Sequence, residues 1–238
     1  LEENSKGKSK IYYSGQAYRR SNNSRDSIVN DQLGLEIIGS KNRTLDNKEI
    51  INTILKAIKA IKIKKIIVNV GDVSLFRQLI ESLRIPERWK LRLIRHFWRP
   101  KYFEDLLNRL GTNSDIDPIA IDFDKRRFSK MKKLDQNQEI AGRKISEILS
   151  RFDKKISDPR SFTEGKKTAK IIREFLKINN PIDQMEESLK NFLQKYNIKK
   201  NVIKNELPIK SLSKSGYKVI FSTNFGRNIE YYTGMVFE

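Results

Sequence analysis

The sequence predicts an α+β fold, with strand-like segments at both ends of the chain and a helical block between them. Three observations carry this reading. Residues 11–20, 33–39, 217–223 and 229–237 have the aromatic and β-branched composition of strands. Between them, apolar residues recur at helical spacing, as in Ile50, Ile51, Ile54, Ile58 and Ile61. Strands and helices do not alternate regularly, which argues against a parallel βαβ architecture.

The first strand covers residues 11–20. A polar run from Ser21 to Asp31 follows, with its turn at Asn22, Asn23 and Ser24. Leu33 to Gly39 reads as the second strand, so the pair forms an antiparallel hairpin with a long polar loop. Asp46 and Glu49 stand at capping-box spacing and open the first helix. Lys65 to Val70 is a short buried strand ended by Gly71, and Asp72 then caps a helix running through Leu75, Phe76, Leu79 and Ile80 to Leu83. Pro86 suits the first turn of the next helix, which passes Trp89, Leu93 and Phe97 towards Trp98. Pro100 stops that run, and a further helix ends at a Gly111 cap. Residues 112–137 read as a polar connection with weak structure. Helices follow at 138–151, 165–178 and 182–196. Two strands, 217–223 and 229–237, are joined at Asn224, Phe225 and Gly226. The whole of 1–238 is expected to be one domain, with 112–212 a mainly helical insertion. The chain opens at Leu1 and stops inside a strand-like segment, so it is expected to be a fragment of a larger domain that lacks both ends.

Composition narrows the chemistry. A chain of 238 residues is long enough to bury a core. It contains no Cys, which excludes disulfides, thiolate zinc sites and thiol nucleophiles. Its single histidine, His96, excludes a zinc site built from several imidazoles, so neither metal nor cofactor is expected. The longest apolar stretches are short, such as Ile66 to Val68, and no signal-like segment opens the chain. A cytoplasmic location with no membrane partner is therefore expected. The chain carries 49 Lys+Arg against 29 Asp+Glu, a net charge of +20. That balance would suit nucleic acid through counterion release. The basic residues are spread along the sequence, however, and the richness in Ile, Lys and Asn looks like the codon bias of an AT-rich genome. Lys56, Lys59, Lys62 and Lys65 recur at helical spacing as one solvated face. Nucleic acid is not the expected partner.

Few residues stand at spacings that carry catalysis. His96 lies between Arg95 and Phe97 with no acid at helical spacing, and reads as structural. Gly71 and Asp72 lack the Gly-rich sequel and Lys-Ser/Thr of a phosphate loop. Trp89, Phe97 and Trp98 read as core or partner-contact surface. No nucleophile elbow is present, and no catalytic residue is assigned. Two segments stand above this background, Gly15 to Glu36 and Gly226 to Glu238, because both place polar residues on apolar strands. An Arg holds a carboxylate or phosphate bidentately, a carboxylate holds a cationic or N–H group, and a Tyr hydroxyl fixes orientation. On a strand Gln32, Gly34 and Glu36 share a face, with Gly34 leaving room for a ligand.

These residues carry a resemblance. Gln32-x-Gly34-x-Glu36 and the segment Arg227-x-x-x-Tyr231-Tyr232-Thr233-Gly234-x-Val236-Phe237-Glu238 resemble the catalytic fold of class II histidyl-tRNA synthetases. That fold also serves a non-synthetase relative, the regulatory subunit of ATP phosphoribosyltransferase. The segments Val70–Phe76, Leu83–Pro86, Arg95–Pro100 and Phe225–Tyr232 are similar to the regulatory subunit, in its alphaproteobacterial branch. The resemblance implies a class II synthetase-like antiparallel sheet with flanking helices. It implies histidine-binding roles for Gln32, Glu36, Arg227, Tyr231 and Tyr232, with Arg227 on the carboxylate and Glu36 and Tyr232 on the imidazole. It makes Arg19 and Arg25 a remnant of an anion- or phosphate-binding site.

The departures from the synthetase pattern point the same way. Where synthetases carry a Glu two residues after the Arg matched by Arg19, this chain has Ser21. Of the following arginine-rich loop only Arg25 is kept. The histidine half of the pocket is retained and the ATP half degraded. The resemblance therefore implies a non-catalytic regulatory subunit that assembles with the short-form catalytic subunit of ATP phosphoribosyltransferase. It would relay histidine feedback and self-associate as a dimer within a hetero-oligomer. A divergent histidyl-tRNA synthetase core is the alternative from another class, and a charge-based nucleic-acid module is a third.

Overall fold

The computed structural model describes residues 7–18, 28–63, 65–112, 118–156, 161–199 and 203–238. They belong to two compact units. One comprises the chain up to Ile66 with Glu206–Tyr217, the other Ile67–Asn205 with Lys218–Glu238.

The first unit contains the expected hairpin. Strand β1 (Ser9–Tyr18) pairs antiparallel with β2 (Val29–Ile38), in register from Ser9 opposite Ile38 to Tyr18 opposite Val29. The turn expected at residues 22–24 lies outside the described residues. Helix α1 (Arg43–Ala60) starts before the expected capping box, because Asn42 is the cap and its Oδ1 accepts the Leu45 N–H at 3.1 Å. Asp46 and Glu49 sit inside the helix and serve β1 instead. Asp46 pairs with Lys8 at 2.7 Å, and Glu49 pairs with both Lys8 and Lys10. The lysine face is exposed as expected, but only Lys56 and Lys59 belong to the helix, which ends at Ala60. Lys62, at φ 60°, has already left it. A short helix at Ile209–Ser213, absent from the sequence reading, buries Leu212 and packs on α1.

The second unit is built on a four-stranded sheet. Its strands are β3 (Ile67–Asp72), β6 (Asn179–Pro181), β7 (Lys218–Ser222) and β8 (Met235–Phe237), in the order β6-β7-β3-β8. The β6–β7 and β3–β8 pairs are antiparallel, while β3 and β7 run parallel. The three-residue β6 is too short to leave a period in the sequence. Gly71 lies within β3 rather than ending it. A Cβ there would stand 2.7 Å from the Phe225 carbonyl oxygen, so only glycine lets the 224–226 turn close against the strand.

Helix α2 (Val73–Ser82) starts as expected, with Asp72 accepting from the Ser74 N–H at 2.8 Å. Its Leu75, Phe76, Leu79 and Ile80 are buried at helical spacing. Helix α3 (Glu87–Arg95) buries Trp89 and Leu93, and α4 (Pro100–Leu110) buries Phe103, Leu106, Leu107 and Leu110. Helix α3 stops at Arg95, short of the expected Trp98, yet Phe97 still enters the core from the turn. Its ring stacks on Phe76 with centroids 3.7 Å apart, and Phe103 meets both rings edge-on.

The helical block departs most from expectation. Residues expected to be a weak connection contain α5 (Pro118–Met131). The buried Asp124 interrupts the apolar row of Ile121 and Phe128 and masks its period. The helix expected over 138–151 starts only at Ile145, as α6 (Ile145–Ile156). Before it, β4 (Glu139–Ile140) and β5 (Arg143–Lys144) form a hairpin. Its two turn residues, Ala141 and Gly142, both have positive φ, 51° and 72°, as a primed two-residue turn requires. Helix α7 (Phe162–Phe175) begins at a capping box, Ser161 with Glu164, which the sequence reading missed. Arg173 of α7 donates to Glu104 at 2.7 Å and to Asn108 at 2.8 Å, fastening α7 to α4. A 3₁₀ turn at Ile182–Gln184 leads into α8 (Met185–Lys195). Losing the cap in Ser161→Ala is expected to cost about 1 kcal/mol, read as a lower urea midpoint. An unchanged midpoint would show that the cap adds nothing.

Among the described residues no helix is long and apolar enough to cross a membrane. None of their acidic and histidine side chains form a group of three placed to hold a metal ion.

Candidate functional site

The expected site residues fall in both units. Gln32, Gly34 and Glu36 alternate onto one face of β2, opposite Gly15, Tyr13 and Ile11 of β1. The space above Gly34, expected to admit a ligand, is filled by the chain itself. A Cβ at Gly34 would lie 1.9 Å from Cζ of Tyr13, so the glycine makes room for that ring. Gln32 Nε2 donates to the Tyr13 hydroxyl at 3.2 Å and holds the ring in place. Glu36, one step further along the strand, stays exposed. Tyr13 is thus a member of this face that sequence reasoning missed. An aromatic residue directly opposite a strand glycine was the available signal. Tyr13 is 42% exposed. Arg19, Ser21 and Arg25 lie outside the described residues.

In the second unit the aromatic–glycine segment turns rather than pairs. The strand expected over 229–237 is reduced to β8, because residues 223–231 form successive turns. Gly226 sits at φ 82°, where a Cβ would meet Val236 Cγ2 at 2.8 Å. This bend puts Arg227 in the core, only 7% exposed. Its Nε donates to the Phe97 carbonyl at 3.0 Å and its Nη1 to Asn224 Oδ1 at 2.9 Å. The guanidinium lies 4.7 Å from the Phe97 ring and 4.8 Å from that of Phe103, and Nη2 has no protein partner. Burial pushes its pKa down to about 10, opposed by the charge of Glu104, so it remains a cation at neutral pH.

Tyr231 and Tyr232 meet edge-on, with centroids 5.1 Å apart. Tyr231 is largely exposed, whereas Tyr232 lines a cavity of about 710 Å³ on one face of the sheet. The polar wall comes from Asn69 on β3, Asn179 on β6 and Ser222 on β7, with Asn228 and Glu238 beside Tyr232. Among the described residues its lining includes a carboxylate, amides and hydroxyls but no Lys or Arg, and Arg227 is not part of it. Such a set suits a zwitterion with ring nitrogens better than a polyphosphate. Asn69 and Asn179 were not picked out from the sequence. The alternation of Asn69 between buried Val68 and Val70 marks it as facing away from the helices.

His96 closes α3 and stands edge-on to Tyr102 at 4.8 Å. Its pKa is lowered from 6.5, first by burial and then by Arg95, Arg99 and Arg92, with Glu230 opposing. The unfolded chain therefore binds this proton more readily than the folded one. The stability that the neutral ring contributes is full above pH 6.5 and is lost as pH falls towards the lowered folded value. The ring proton is expected to titrate below 6.5 by NMR, and added salt should recover only the arginine part of the shift. A titration at or above 6.5 would contradict the arrangement.

Comparison with known proteins shows the family and the fold. An ATP phosphoribosyltransferase regulatory subunit from Rhizobium rhizogenes is 26% identical over 226 residues, covering 87% of this chain and 60% of that protein. Its counterpart from Allorhizobium ampelinum is 25% identical over 254 residues, covering 99% of this chain and 68% of that protein. The chain thus spans roughly three-fifths to two-thirds of the curated relatives it matches. Among solved structures, an ATP phosphoribosyltransferase regulatory subunit/histidyl-tRNA synthetase from Bacillus halodurans shares the fold. Its TM-score is 0.50 at 17% identity, over 96% of this chain and 47% of that one. The family model described as histidyl-tRNA synthetase matches residues 2–238, and this chain belongs to that family.

Proposed function

We propose that the chain is part of a regulatory subunit of ATP phosphoribosyltransferase that has no catalytic activity of its own. It assembles with the short-form catalytic subunit and takes histidine as a feedback effector. The observation that carries this reading is the cavity beside Tyr232. Its amides, phenol and carboxylate match an amino acid with an imidazole, and none of its described lining residues is the cation that a triphosphate calls for. Ser21 in place of the synthetase glutamate and the names of the alphaproteobacterial relatives support the same conclusion. Feedback requires histidine to bind one state of the assembly better than another, and the coupling is reciprocal. The synthetase reading draws on the family model itself.

Mixing the full-length protein with the short-form catalytic subunit tests the proposal. The two should co-elute, and histidine should inhibit the complex but not the catalytic subunit alone. Failure to associate would overturn the reading.

A further inference from the structure

We propose that the groove between α3 and α6 binds a phosphorylated small molecule with at least two adjacent negative charges, inorganic pyrophosphate being its minimal form. The groove is separate from the cavity beside Tyr232, and the inference does not rest on the histidine reading.

Two basic rows face this groove. Arg88, Arg92 and Arg95 repeat at helical spacing along one side of α3, and Arg151 and Lys154 do the same on α6, which packs against it. Together with His96 they line a cavity of about 610 Å³, within the range of small-molecule sites. Among the described residues no carboxylate lines it. Among the described residues Arg95, Arg151 and Lys154 have no ion-pair partner. The exposed Glu147 and Asp153 of α6 stand outside the lining.

The floor is apolar and fixed. Trp89 is 1% exposed, with the Arg88 and Arg92 guanidinium groups 5.5 and 5.7 Å from its ring. Arg92 also donates to Tyr102 of α4 at 3.4 Å. Stacked guanidinium groups lose less freedom on gripping an anion and match phosphate oxygens in pairs. Gathering Arg95, Arg151 and Lys154 around one concavity is unfavourable unless an anion enters it. The cations converge on a hollow rather than run along an open face, which suits one compact polyanion better than a nucleic-acid backbone.

The molecule carries its own reporter, because His96 is its only histidine and lines the groove. Burial first, then Arg95 of α3, Arg99 before α4 and Arg92 of α3 depress its pKa, while Glu230 opposes them. A bound dianion must push that value up.

The test follows the His96 ring proton by NMR in the full chain, at ionic strength matched with sodium chloride because salt alone relieves part of the depression. Millimolar pyrophosphate and ATP should each raise the apparent pKa by about half a unit or more, roughly threefold in proton affinity. The double variant Arg151→Ala, Lys154→Ala, exposed and outside the core, should weaken pyrophosphate binding about tenfold. Arg126→Ala, on α5, should leave it unchanged. An unmoved His96, an equal response to matched sulfate, equal loss in Arg126→Ala, or a response to duplex RNA alone would each overturn the proposal.

Discussion

Phe97→Ala is expected to lower the unfolding free energy of the second unit by about 3–5 kcal/mol. The side chain is 5% exposed and stacks on Phe76 at 3.7 Å with the rings within 5° of parallel. It meets Phe103 edge-on at 5.5 Å and gives Arg227 one of its two aromatic neighbours. Truncation thus removes buried area, leaves a hollow between α2 and α4, and strips the environment of a buried cation. The backbone carbonyl that accepts from Arg227 is retained, so the loss comes from the ring. Trp89 and Trp98 both lie in this unit, and their fluorescence in urea reports its unfolding directly. Phe97→Leu should cost much less. A loss below about 1 kcal/mol for the alanine variant would show that the aromatic cluster is not the core of this unit.

Glu36→Ala is expected to weaken histidine binding by the full-length protein about 10- to 100-fold, the loss of one or two hydrogen bonds to a charged group. Its melting temperature should stay close to wild type, because Glu36 is exposed on β2. Arg227→Ala is a poorer probe of histidine binding. That side chain holds the Phe97 carbonyl and Asn224, and its removal leaves both acceptors unsatisfied. It should lose stability and histidine affinity together. Calorimetry with histidine beside a thermal melt separates the two cases. Unchanged affinity in Glu36→Ala would remove Glu36 from the site.

The legible parts of the fold were those fixed by neighbours in sequence. The hairpin announced itself by composition, α2 by the Asp72 cap and the Leu75–Ile80 spacing, and α4 by Pro100 and Gly111. Helix α5 was hidden because Asp124 occupies a core-facing position where the apolar row should continue. The start of α6 was misplaced because Ala141, an ordinary helix former, takes a left-handed conformation with Gly142 in a two-residue turn. Pairing across long stretches of chain left no local trace, so the parallel β3–β7 pair came only with the structure. The candidate site divides the same way. Gln32, Glu36 and Tyr232 were picked out by motif as candidates, but the ring of Tyr13 over Gly34 depends on cross-strand register. The burial of Arg227 depends on a bend at Gly226 and on an aromatic cluster drawn from distant helices.

The central claim is that this member of the synthetase family has kept a histidine pocket and given up adenylation. Histidine-dependent ATP–pyrophosphate exchange by the full-length protein tests it most directly. No exchange above background is expected under conditions in which the protein binds histidine. Exchange that requires histidine and is lost in Glu36→Ala would contradict the account and make the protein a synthetase.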